Sequence, residues 1–180
     1  MIDDASRLQD VMDLAECLAR MGGYRNFSVQ RLADEVGIPV ASVMKRFSSK
    51  EQLATAVVRR FGERVYERVG TPDDPSVSPQ TKIDTFIDVY RQTITDDGQL
   101  CLFLVFGAEL HTLPPLVQRE VRTFYTNIFG WLEVLLRRFP EYAPGSERDS
   151  HTAARAIVAA LNGAQICVRA SGDRSIFEDV

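Results

Sequence analysis

Apolar residues recur along this chain in the steps of three and four that mark helices, with no sustained period-two alternation between turn signals. Over 5–21, Leu8, Val11, Ala15 and Leu18 fall on one face, and Gly22-Gly23 stops the pattern. Ser28 is placed to cap a short helix over 28–36 that turns Val29, Leu32, Ala33 and Val36 inward; Gly37 ends it. Pro39 then stands where a second short helix opens, running to Phe47. Ser48-Ser49-Lys50-Glu51 has capping-box spacing, which predicts that the Ser48 hydroxyl takes the Glu51 amide and the Glu51 carboxylate reaches back. A long helix over 49–69 carries Leu53, Val57, Phe61 and Val65.

The run 70–80, with three prolines and a glycine, reads as a linker. Helical patterns resume over 80–96, 98–112, 115–139 and 149–171, with a loop at 140–148 and a helix end and turn at Asp96-Asp97-Gly98. By composition Leu100–Phe106 would also suit a buried strand, but a lone strand would have no partner. The fold class expected is all-α: a three-helix N-terminal domain over 1–50, then a helical bundle over 51–180 reached through the connecting helix 49–69.

Composition narrows the function. With 45% hydrophobic residues the chain can fill a core, so wholesale disorder is excluded. The longest uncharged apolar run, Leu100–Ala108, has nine residues, whereas a membrane span needs ~20, so no membrane partner is expected. The acidic, polar start does not read as a secretory signal, and Cys17, Cys101 and Cys167 do not make a disulfide framework. Both features suit the cytoplasm. The net charge is −4, but Arg20 to Arg60 holds eight basic and three acidic residues, a local +5 against −9 elsewhere. Such asymmetry suits a protein that meets phosphate with one end.

Two short helices joined by a glycine turn and braced by a preceding helix form a DNA-reading layout, the second helix entering the major groove. In that second helix Val43 and Phe47 would point inward, leaving Val40, Ala41, Ser42, Met44, Lys45 and Arg46 outward. Phe27-Ser28-Val29-Gln30-Arg31-Leu32-Ala33-Asp34-Glu35-Val36-Gly37-Ile38, Ala41-Ser42-Val43 and Phe47-Ser48-Ser49-Lys50-Glu51-Gln52-Leu53 together resemble the N-terminal signature of the tetracycline-repressor (TetR/AcrR) family. The likeness covers about residues 8–60. It implies that Ser28 caps the first short helix and touches phosphate, that Ser42 holds the small hydroxyl position of the reading helix, and that Lys50 contacts backbone phosphate. Gln30, Pro39, Val40, Ala41, Met44, Lys45 and Arg46 complete the expected DNA surface. Met44 departs from the family's usual tyrosine or histidine near phosphate, Pro39-Val40 from a serine and a basic residue, and Lys45-Arg46 from an aromatic or histidine pair.

The helix over 115–139 is apolar on two sides, and that over 149–171 has a stripe of small residues. They predict a homodimer whose four-helix interface includes Val121, Ile128, Ala153, Ala156, Ala160, Gly163 and Cys167. The resemblance further implies a pocket for a small-molecule effector, with Phe86, Tyr90, Cys101, Phe103, Phe106, His111, Tyr125 and Trp131 as candidate lining and Glu109 and Arg122 as further polar candidates. Segment 98–113 resembles a subgroup with a cysteine near the start of this helix, some members of which sense electrophiles or small unsaturated acids; Cys101 occupies that place. Flanking by Leu100, Leu102 and Phe103 favours instead a cysteine that only fills core. His111 and His151 stand forty apart without a cysteine pair, and the chain has no phosphate loop or nucleophile elbow. Neither an enzyme nor a cofactor is expected. The reading is a regulator released from a double-stranded DNA operator by an effector; the alternative is a dimeric interaction or sensing module of this fold that has lost its operator.

Overall fold

The structure, a computed structural model, describes residues 4–94 and 98–179. The turn expected at Asp96-Asp97 lies outside them. Nine α-helices and no strand occur among the described residues: α1 Asp4–Gly22, α2 Val29–Val36, α3 Val40–Phe47, α4 Lys50–Val69, α5 Pro79–Gln92, α6 Leu102–Ala108, α7 Pro115–Leu136, α8 Ser150–Ser171 and α9 Ser175–Glu178. Leu100–Phe106 therefore holds no strand, and the helix expected over 98–112 is the shorter α6 plus a 3-10 turn at Leu110–Thr112. α5 stops at Gln92, short of the expected 96, where the Thr93 hydroxyl donates to the Tyr90 carbonyl and closes the last turn.

The chain divides into two compact units, Met1–Gly62 with Cys101–Arg122, and Glu63–Leu100 with Thr123–Val180. In the first, α1 packs on α2 and α6, and α2 on α3. Of the predicted apolar set, Val11, Ala15, Leu32, Ala33, Val43 and Leu53 are fully buried, while Leu8, Val29 and Val36 are only half-buried. The Ser28 hydroxyl accepts the Arg31 amide at 3.1 Å, as the N-cap reading requires. Gly37 (φ 74) ends α2, and its carbonyl accepts from the Arg7 guanidinium of α1 at 3.0 Å.

The capping box falls elsewhere. Ser48 closes α3 at φ 60 with its amide on the Met44 carbonyl, and α4 begins only at Lys50, so Ser48 stands one residue before the N-cap position. Ser49 does that instead, its hydroxyl accepting the Gln52 amide at 3.1 Å. Freed from capping, the Glu51 carboxylate accepts the Leu116 amide at 3.0 Å, in the first turn of α7.

In the second unit α5 packs on α8 and α8 on α9. Phe86, Ile128, Leu132 and Leu135 are fully buried at its centre. The proline-rich segment after α4 is pinned to it. Trp131 donates to the Gly70 carbonyl at 2.7 Å, and Arg138 to the Pro72 and Val77 carbonyls at 2.8 Å each.

Candidate nucleic-acid interface

α3 is amphipathic in the simplest way. Val43 and Phe47 are buried, while Ala41, Met44, Lys45 and Arg46 are exposed and Val40 and Ser42 half-buried. At 100° per residue, Lys45 lies opposite the buried pair. Ala41 and Ser42 sit beside it one turn earlier, Met44 on one flank and Arg46 on the other. Pro39 is the exposed N-cap (φ −61, ψ 137) rather than the first helical residue. Ala41, Met44, Lys45 and Arg46 thus face outward as the pattern expects, whereas Val40, three residues before Val43 on the packed side, is half-buried rather than outward.

Not every cation nearby is free to meet a phosphate. Arg31 is committed to Glu35 at 2.6 Å and to the Asn26 carbonyl at 3.2 Å. Gln30 donates to Asp34 at 2.8 Å. The Arg46 guanidinium lies 5.2 Å from the Phe47 ring centroid. Ser28 is exposed at the start of α2.

Lys50 is the residue whose setting the pattern could not foresee. Its ammonium stands 4.1 Å from the ring centroid of Tyr24 and 4.7 Å from that of Phe27. Burial pulls its pKa below the ordinary lysine range, and the Glu109 charge opposes that pull. Glu109, a candidate ligand-orienting group by sequence, instead accepts the Tyr24 amide at 2.5 Å. Tyr24 was missed as part of the site. A sequence separation of 85 residues leaves no local signal for such a pair.

The candidate effector residues fall in both units. In the first, Cys101, Phe103 and Phe106 are buried and His111 is exposed. Phe103 packs edge-on to Phe61 at 5.7 Å, and Phe106 to Tyr24 at 6.5 Å. Burial pushes the Cys101 thiol pKa up, away from the thiolate an electrophile sensor needs. In the second unit Phe86 stacks on Trp131 at 5.4 Å and contacts Tyr90 at 5.1 Å. Tyr125 is half-buried against Phe124 and Phe129, its hydroxyl 3.5 Å from Asn162.

The dimer set divides. Ala156, Ala160, Gly163 and Cys167 are exposed along α8, and Ala153 is half-buried. Val121 and Ile128 are only 1% and 0% exposed within the single chain, so they serve its own core and offer nothing to a partner. The apolar stripe on α7 was legible, but its direction was not.

A braced pair of short helices, the second turned outward with lysine and arginine, defines a helix-turn-helix protein with an all-helical body. Residues 11–57 match the profile described as "Bacterial regulatory proteins, tetR family". The HTH-type transcriptional repressor KstR2 of Mycolicibacterium smegmatis is 26% identical over 132 residues, which cover 73% of this chain and 64% of that repressor, under two thirds of its length. A solved TetR family transcriptional regulator from Agrobacterium tumefaciens superposes with a TM-score of 0.87 at 25% identity, covering 99% of this chain and 95% of that one. A TetR transcriptional regulator from Legionella pneumophila does so with a TM-score of 0.84 at 25% identity, over 99% and 94%. The chain is thus similar to TetR family regulators, in sequence over residues 11–57 and in fold over nearly its whole length.

Proposed function

We propose that this chain is a DNA-binding transcriptional regulator, a repressor that acts as a homodimer and leaves its operator when a small-molecule effector binds its helical body. The outward face of α3 carries the reading: Lys45 at its centre, Ala41 and Ser42 beside it, Met44 and Arg46 at its flanks, all on a segment of local charge +5. Ser28 and Lys50 serve as phosphate contacts to either side, fixing register without reading sequence. Pairing uses the exposed small residues of α8, giving two reading helices for two half-sites. The packed aromatics Phe86, Tyr90 and Trp131 are where an effector would compete with the chain's own ring packing. An effector shifts the equilibrium only through its differential affinity for the bound and free states. Helix α4 holds residues of both units, and a ligand-dependent tilt of it would carry the signal.

The test is retention of a duplex taken from upstream of the protein's own gene. Affinity should fall linearly on a log–log salt plot, and Lys50→Ala should weaken binding across sequences and reduce that slope by about one. A protein that ignores such duplexes at low salt is not an operator-binding regulator.

A further inference from the structure

We infer that α3 selects its operator through thymine 5-methyl groups, received by Met44 and Ala41. The inference rests on the DNA-binding reading above and names the base chemistry it requires. Met44 is 38% exposed, one of the few large apolar side chains that the described residues leave open to solvent. It does not belong to the packed side of α3, which Val43 and Phe47 occupy. With Ala41 it makes the flank of the outward face that carries no hydrogen-bonding group apart from the weakly accepting thioether. The opposite flank is polar, Ser42 and Arg46, and Lys45 stands between the two flanks. The two flanks therefore ask for different things of a groove floor.

In the major groove, three of the four bases offer only donors and acceptors on their edges. Thymine alone adds an apolar group, the methyl on C5. A methionine and an alanine cannot complete a donor–acceptor pattern, but they can remove that methyl from water. The flexible thioether chain of Met44 can follow a methyl at either of two adjacent base steps. The cationic neighbours Lys45 and Arg46 bring the helix to the duplex, so the apolar flank is left facing base edges rather than solvent.

The experiment uses the full-length chain and a library of duplexes with randomised centres. Selected half-sites should contain thymine at one or two fixed steps. Each such site is then remade with deoxyuridine for thymidine, which keeps every hydrogen-bonding atom and deletes only the methyl. Wild-type affinity should fall by about fourfold for each methyl contacted. In Met44→Ala that penalty should vanish at one step, and in Ala41→Ser it should shrink at the other. Both side chains are exposed, so thermal melts of the variants should match wild type and separate loss of reading from loss of fold. Selected sites that bind equally well with uracil throughout overturn the inference and leave the DNA-binding reading standing, as do sites whose uracil penalty persists unchanged in both variants. A library that yields no enriched sequence even at low salt overturns the DNA-binding reading, and this inference with it.

Discussion

The Glu109 carboxylate accepts the backbone N–H of Tyr24 at 2.5 Å, tying the end of α6 to the turn after α1. The pair explains a glycine. Gly23 sits at φ 79, and a Cβ built there would stand 2.6 Å from one Glu109 oxygen and 2.7 Å from the other. Glu109→Ala should cost about 1–3 kcal/mol, because a half-buried amide loses its charged acceptor. Gly23→Ala should also destabilise, through both the clash and the backbone angle. In the double variant only the clash is relieved, so the combined loss should fall short of the sum. Urea denaturation of the four proteins measures this; strictly additive losses would mean the two residues do not meet.

Cys101 should be the slowest of the three cysteines to alkylate in the folded protein at neutral pH. It is buried and its thiol pKa is raised by that burial, whereas Cys17 is half-buried and Cys167 exposed. Iodoacetamide pulses read by mass spectrometry give the order. Labelling of Cys101 ahead of Cys17 would restore it as a reactive sensor.

Tyr66 gives a pH signature in the alkaline range. Burial raises its hydroxyl pKa to about 12 from an ordinary value near 10. The folded state then holds a proton that the unfolded chain has lost, so stability is full below pH ~10 and declines as pH rises toward ~12. Tyr24, also raised by burial, contributes with the same sign, and Lys50, lowered, with the opposite one. Tyr66→Phe isolates the larger effect: its urea midpoint should lose less than wild type between those pH values. Parallel curves would show that Tyr66 titrates normally.

Local features were legible and distant ones were not. Ser28, Gly37 and the inward pair Val43 and Phe47 follow from spacing alone, because the groups that decide them lie within one turn. Ser48 and Ser49 differ by one residue in a run where both could cap; the choice went to Ser49 because Ser48 had to turn the chain at φ 60. Glu51 bonding to Leu116 and Lys50 resting on Tyr24 and Phe27 depend on elements brought together by the fold. Val121 and Ile128 failed as interface residues for a related reason. Periodicity finds an apolar stripe but does not say whether the same chain or another one covers it.

The exposed side of α7 and α8 gives the sharpest test of pairing. Ala156, Ala159, Ala160, Gly163, Ile166, Cys167 and Ala170 line α8 on the solvent side, with Gly130 and Val134 exposed on α7. A Cβ added at Gly130 or Gly163 meets nothing within 4 Å in the single chain. Gly163→Glu therefore has room, and it replaces a poor helix former, so the isolated chain should be no less stable and could gain about 1 kcal/mol. Across a two-fold interface the same change sets two buried carboxylates close together, which should drive the pair apart. Ile128→Ala should do the reverse: it opens a cavity in the chain's own core, costs about 2–5 kcal/mol and leaves the paired surface untouched. Sedimentation equilibrium with melts at several concentrations separates the two. A Gly163→Glu protein that stays dimeric would move the interface off this face of α8.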